Sequence, residues 1–337
     1  EAFRGRDYLK IDSYLIQGLQ EEDSSGKTPI ILPMIDFNHI SKPSKFGTTT
    51  SITANAVALT RTNGQDTKRL SLQTGWHIPR TSPSGHLADI DLSIRGDIYH
   101  LTDLSNSTST TSTSATSGRI YPQASVRWSY PLSKWTNTIT QTFEPTASFA
   151  LSPYGGNPTD IPNEDSLDLE LDDINLFNPN RFTGLDRVEG GPRFGYGFRW
   201  SAYGNGGGNS SVFVGQSYRI RKDNNFAQGS GLEDNFSDIV SMVNLSPSRQ
   251  FDLNYRTRFS YENLSPSRNE LQLSAGPPAA KVNLNYAFFR PQGLGFGGRE
   301  ELNGSISSKV SRLWRTSLSG LYDLEGEGDL RDISFGI

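Results

Sequence analysis

Few side chains in this 337-residue chain have the type and spacing needed for covalent chemistry. There are four histidines, His39, His77, His86 and His100, and no cysteine. The histidines form no His-x-x-x-His pair and have no carboxylate at metal-site spacing, and no Gly-x-Ser-x-Gly nucleophile elbow occurs. Without cysteine there is no thiol catalysis, disulfide framework or Cys-based zinc site. No catalytic residue, metal or cofactor is expected. An acidic run, Glu164, Asp165, Asp168, Glu170, Asp172 and Asp173, lacks the Asp-x-Asp-x-Asp-Gly order of a calcium loop and is expected to be a solvated acidic face. What remains is non-covalent. Arg69, Asp89, Asp91, Arg95, Asp97, Arg127, Asp252, Arg256 and Arg258 recur between apolar residues at alternate positions. Guanidinium groups bind phosphate and carboxylate through paired hydrogen bonds, and carboxylates accept from hydroxyls, so such a row can solvate a charged, hydroxyl-rich solute.

Only an extended strand puts every second side chain on one face. In 249–261, Phe251, Leu253, Tyr255, Thr257, Phe259 and Tyr261 oppose Asp252, Asn254, Arg256, Arg258 and Ser260. Likewise Ala88, Ile90, Leu92, Ile94 and Ile98 oppose Asp89, Asp91, Ser93, Arg95 and Asp97, and Leu70, Leu72, Thr74, Trp76 and Ile78 oppose Arg69, Ser71, Gln73 and His77. These segments reach roughly the 9–11 residues that cross a bilayer as a tilted strand, longer than the ~5–6 of a soluble sandwich strand. Composition agrees: 34% of residues are hydrophobic, 11% aromatic and 33 are glycine, with a mean hydropathy of −0.52. A membrane β-barrel averages hydrophilic in this way, because one strand face meets lipid and the other meets water. The longest apolar run, at 30–35, contains Pro33 and falls far short of the ~20 residues of a transmembrane helix. With 32 Lys+Arg against 36 Asp+Glu, no basic excess attracts nucleic acid.

The expected fold class is therefore all-β, a transmembrane antiparallel outer-membrane β-barrel in one domain over 1–337. About sixteen strands are expected, near 7–18, 29–41, 46–60, 67–79, 86–101, 119–130, 137–151, 191–202, 210–222, 235–245, 249–261, 268–276, 280–290, 300–309, 313–323 and 329–337. Connections after odd-numbered strands are long, at 102–118, 152–190, 223–234 and 291–299, whereas those after even strands are tight, such as Ser246-Pro247-Ser248 and Gly276-Pro277-Pro278. Outer-membrane barrels have short periplasmic turns and long extracellular loops, which puts the N-terminus on the periplasmic side. The start, Glu1-Ala2-Phe3-Arg4, has no apolar signal segment. At the other end the alternation is still running at Ile337, and a closed barrel has no edge. Either the last strand pairs with the first or the chain is part of a larger barrel.

The connection 152–190 is patterned. It contains Ile161-Pro162-Asn163-Glu164-Asp165-Ser166, then Leu176-Phe177, then Asn180-Arg181-Phe182-Thr183-Gly184-Leu185-Asp186-Arg187, and leads into Gly195-Tyr196-Gly197-Phe198. This block resembles the lipopolysaccharide-assembly outer-membrane family LptD, also called the OstA or organic-solvent-tolerance family. Leu32-Pro33-Met34-Ile35-Asp36-Phe37 is similar to the family's second strand, and Arg61, Gly64, Asp66 and Arg69 to a family hairpin. Arg95-Gly96-Asp97 followed by Tyr99 is similar to a strand of its alphaproteobacterial branch. The likeness covers most of 1–200.

The resemblance implies a translocon barrel that inserts lipopolysaccharide into the outer leaflet, with sugars passing through a polar lumen and lipid leaving by a lateral seam. It also implies three partners besides membrane lipid: lipopolysaccharide itself, an LptE-like lipoprotein plug, and an LptA-like periplasmic bridge protein docking on a jelly-roll domain that is not in this sequence. Pro33, with Pro29 before it, is the seam candidate, because proline donates no ladder hydrogen bond. The loop 152–190 is expected to fold into the lumen as a plug or gate. Asn163, Asp165, Ser166, Asn180 and Gly184 belong to its motif, Arg181, Asp186 and Arg187 are expected to pin it by ion pairs, and Phe177 and Phe182 to be its apolar stoppers. Arg95, Arg127, Arg256 and Arg258 would attract phosphates. Arg69, Asp89, Asp91, Asp97 and Asp252 would complete the lumen lining. The alternative is a general diffusion porin of about sixteen strands.

Overall fold

The computed structural model describes residues 1–18, 26–102, 114–166, 170–291, 298–325 and 328–336. Asp168 of the acidic run, Ile337 and most of the connections 102–118 and 291–299 lie outside the described residues. Among the described residues, eighteen antiparallel strands form one sheet. In chain order they are β1 (Ala2–Arg4), β2 (Asp7–Leu15), β3 (Ile30–Ile40), β4 (Thr49–Thr60), β5 (Asp66–Thr81), β6 (Leu87–Thr102), β7 (Ala115–Ser129), β8 (Leu132–Trp135) and β9 (Ile139–Leu151). The second half comprises β10 (Arg193–Gly204), β11 (Asn209–Arg219), β12 (Ile239–Ser248), β13 (Phe251–Phe259), β14 (Pro266–Ala275), β15 (Ala280–Phe289), β16 (Arg299–Lys309), β17 (Arg315–Asp323) and β18 (Asp329–Gly336).

Sixteen of these are the strands expected from the alternation. The two others, β1 and β8, span three and four residues, too short for a period of two to show. β1 turns back onto β2 through Gly5, whose φ of 63° suits glycine. β7 and β8 share the flank of β9, the first along 146–151 and the second along 140–143. Every other strand pairs with its neighbour in sequence. Among the described residues β18 pairs only with β17, so the sheet is open between β18 and the first strands.

Register separates the faces. Leu70 pairs with Ile98, Trp76 with Leu92 and Gly96 with Ile120, and the large apolar members of this row are exposed. One residue along, Arg69 pairs with Tyr99, Ser71 with Asp97 and Asp97 with Arg119, and all five of these residues are buried. Apolar outside and polar inside is the inverse of a soluble sheet, and it fits lipid around the outer face. The strands β5 and β6 each have 16 residues, roughly 50 Å at ~3.3 Å per residue, and overhang the ~30 Å hydrocarbon core. Their inner face is met by the connection 152–192, and the connection 220–238, on the same rim of the sheet, packs on β11, β12 and β13.

Pro33 lies inside β3, in a bulge. Ile31 faces Leu59 and Met34 faces Val57 on β4, while on β2 Asp12 faces Met34 and Tyr14 faces Ile31, so the two-residue step Leu32-Pro33 meets a single residue on each side. The Leu32–Pro33 peptide is cis. Pro29 precedes the strand.

Candidate functional site

Although β9 and β10 are directly paired, the long connection between them folds back over the inner wall, where it meets Arg69, Arg95 and Arg119. Asp165 organises its fold. Its carboxylate accepts the backbone N–H groups of Leu185 at 3.1 Å and Asp186 at 3.0 Å, and the Ser166 hydroxyl at 2.9 Å. Asn163 closes a local turn with Ser166, accepting its N–H at 3.0 Å. A Cβ on Gly184 would overlap Asp165, which explains glycine in that block. From the wall, Arg69 Nη1 reaches Asp165 at 2.6 Å and Asp186 at 2.5 Å, and Asp186 also accepts the Tyr99 hydroxyl at 3.0 Å. Burial pushes the Asp165 carboxyl up, but Arg69 and the two backbone donors prevail and hold it at about 2. Asp186, more deeply buried and beside Asp165, is pushed up against the pull of Arg69.

A second tie uses the loop backbone. Asp97, completely buried on β6, accepts Arg119 Nε at 2.6 Å and Arg95 Nε at 3.1 Å. So oriented, Arg95 donates to the Leu185 carbonyl at 2.9 Å, and Arg119 to the carbonyls of Asp186 and Gly156, both at 2.9 Å. The third tie is Glu189, which is fully buried. Arg181 Nε donates to it at 2.8 Å, Arg219 Nη2 at 2.7 Å, and Arg193 Nε lies 3.5 Å away. Burial would raise its carboxyl, yet Arg181, Arg193 and Arg219 bring it down to about 2. Asn180 accepts the Glu189 N–H at 3.2 Å. Arg187 instead donates to the carbonyls of Ile161 at 3.0 Å and Pro162 at 3.2 Å, and no carboxylate lies within ion-pair distance of it among the described residues.

The acidic run is no solvated face. Glu164 pairs with Arg61, Asp165 with Arg69, Glu170 with Arg268 at 2.6 Å, and Asp173 with Arg256 at 3.5 Å. Asp172 accepts the N–H groups of Ile174 and Asn175 at 2.9 and 2.8 Å. The arginines sit on or beside strands far away in sequence, which is why the run reads as unpartnered in one dimension. Apolar packing joins in: Leu171, Leu176 and Phe182 cluster with Phe213, Val240 and Met242 of the wall and with Phe226 and Leu232 of 220–238. Phe182 stacks on Phe226 at 4.9 Å, and Phe177 meets Phe213 edge-on at 6.1 Å. Sequence reasoning placed no role on 220–238. Its advance signal was Phe226 and Leu232, two large apolar residues set singly in the polar stretch 221–235.

The remaining lumen candidates divide. Arg258 is buried against the carbonyls of Ser230 at 3.1 Å and Gly229 at 2.6 Å, and thereby holds the second connection. Arg127 lies over the Phe177 ring at 5.8 Å. Asp89 and Asp91 face His77, Asp91 at 2.8 Å, and Asp252 accepts the Ser246 hydroxyl at 2.5 Å. Sequence reasoning missed Arg119, Arg193, Arg219, Arg268 and Glu189. The first four occupy inner-face positions of their strands, so the alternation contained them, but nothing local marked them as ligands of a loop.

Between the loop and the wall lies a cavity of about 230 Å³, lined on the wall side by Asp89, Asp91 and Arg127 and on the loop side by Phe177, Asn178 and Arg181. A polar inner wall under an apolar outer face is the pattern of an outer-membrane β-barrel wall, here with the loop packed against its polar side. No curated relative matches the chain. The family model LptD, LPS transport system D, matches residues 2–314, and with that match over nearly the whole length the chain belongs to the LptD family, outer-membrane β-barrels of lipopolysaccharide transport.

Proposed function

We propose that this chain is the lumen wall and gate of a lipopolysaccharide translocon. The sugar and phosphate portion crosses beside the polar face, where each hydroxyl stranded in hydrocarbon would otherwise cost several kcal/mol, and the acyl chains leave sideways through a seam near the first strands. The observation that carries this reading is the connection 152–192, seated on the inner wall by the buried ties at Arg69, Asp97 and Glu189. A loop so held closes the lumen at rest and must be lifted or threaded past during transport. The short turns on the opposite rim support a periplasmic N-terminus. An LptE-like lipoprotein and an LptA-like bridge protein are the partners this function requires. The bulge at Pro33 supports a weak ladder near the seam. Deleting 155–187 tests the gate: entry of large antibiotics into cells should rise, and an unaltered barrier refutes it.

A further inference from the structure

The Glu189 cluster does not balance. Three guanidinium groups, Arg181, Arg193 and Arg219, surround it, with side chains at most 5% exposed. Among the described residues Glu189 is the one carboxylate within ion-pair distance of any of them. One carboxylate therefore faces three guanidinium groups in a buried site, with Asp223 acting on Arg219 only from beyond ion-pair distance, and an uncompensated buried charge costs several kcal/mol. Their hydrogen bonding is incomplete as well. Arg181 is satisfied by Glu189 and by the Ser217 hydroxyl at 2.9 Å. Arg193 spends Nη1 on the carbonyls of Glu189 at 3.0 Å and Gly191 at 3.1 Å, but its Nη2 has no acceptor, and neither has Nη1 of Arg219. Arg181 and Arg193 line the 230 Å³ cavity under the loop, where the hydroxyls of Ser148 and Ser217 also face. That volume is far above the roughly 10–15 Å³ that admits one water.

We propose that this cluster is a binding site for a phosphate monoester, seated in the cavity against Arg193. A monoester carries close to two negative charges at neutral pH and three acceptor oxygens, which matches the charge excess and offers acceptors to Arg193, the one of the two under-bonded arginines that lines the cavity. The acidic residues of the cavity do not cancel it. Asp91 stands in the same cross-strand row as Arg193 but three strands away, roughly 14 Å at ~4.8 Å per strand, and is already bonded to His77. That acidic end accepts hydroxyl or amine donors, so the cavity as a whole suits a phosphorylated sugar. Lipopolysaccharide and free phosphate both offer the group, and only the assignment of the source to lipopolysaccharide rests on the transport reading.

The test uses the whole chain in detergent, with three probes: inorganic phosphate, phosphorylated lipopolysaccharide, and the same lipopolysaccharide after phosphatase treatment. Inorganic phosphate should raise the unfolding midpoint, and phosphorylated lipopolysaccharide should bind at least about tenfold tighter than the treated form. Arg193→Gln should abolish both effects and Arg193→Lys restore part of the affinity, with heat-modifiable gel mobility checking that the barrel has folded. Stabilisation by phosphate with no preference between the two lipopolysaccharides supports the site and assigns it to the free ion. No response of the unmodified chain to phosphate and no preference between the lipopolysaccharides overturns the proposal, without needing any variant to fold. Failure of the 155–187 deletion to breach the barrier would sink the gate and leave the phosphate result standing.

Discussion

At the scale of single residues, Glu189 does more than its one charge suggests, because three arginines depend on it. Removing one partner of a buried ion pair costs about 3–5 kcal/mol, since the other charge stays buried and uncompensated. Glu189→Gln should therefore unseat the loop by more than about a hundredfold in its closing equilibrium, read as faster protease cleavage within 155–187 while the strands resist. Acid should do the same more gently. A carboxylate held at about 2 stabilises the closed loop fully above its free value of 4.5, and the contribution is lost as pH falls towards 2. Asp165 has the same sign, and Asp186, pushed up by burial, has the opposite one, so the Glu189 tie is the cleaner readout. Conductance of the reconstituted barrel should stay low at pH 5 and rise below about pH 3. A rise already at pH 5 would show that another tie controls the loop.

At the scale of elements, β3 tests whether its bulge weakens the ladder. Pro33→Ala restores an N–H in the middle of the strand, between β2 and β4. Lipopolysaccharide delivery to the surface should slow as the ladder near the seam tightens; unchanged delivery in cells carrying the substitution would remove Pro33 from the mechanism. The elements were the most legible feature of the sequence. Leu70, Leu72 and Trp76 against Arg69, Ser71 and Gln73 announce both the strand and its two faces, because a membrane on one side and water on the other enforce a period of two wherever no bulge interrupts the strand. β1 and β8 were illegible because three or four residues carry no period. The ties were legible only in part. Arg69, Asp165, Asp186 and Arg181 stood out within motifs, but Glu189, Arg193 and Arg219 became a site only when register set β10 beside β11 and the loop folded over both. The acidic run misled for the same reason, since Arg61, Arg256 and Arg268 are its partners in space and remote from it in sequence.

At the scale of the whole molecule, the question is whether the loop must leave the wall for transport to occur. The inner face holds two connections that pack on each other through Phe182 and Phe226, so a gate built on the proposed reading is a joint body and not a single strap. Its movement would break the apolar cluster and the three polar ties together, so a gate of this kind should close cooperatively and switch between two states. A chain without cysteine allows a clean lock. Leu176 of the loop lies against Gly215 of β11, close enough that a Cβ on Gly215 would overlap the Leu176 side chain. Leu176→Cys together with Gly215→Cys therefore places two thiols within bonding reach across the loop–wall contact. If the loop lifts during transport, oxidised cells should accumulate lipopolysaccharide below the surface and recover when a reductant is added, while Leu176→Cys alone, which has no second thiol to bond, transports normally with or without oxidant. If oxidised cells deliver lipopolysaccharide at the wild-type rate with the disulfide formed, the loop stays seated and the sugars pass beside it, along the row of Asp91, Ser125 and Arg193.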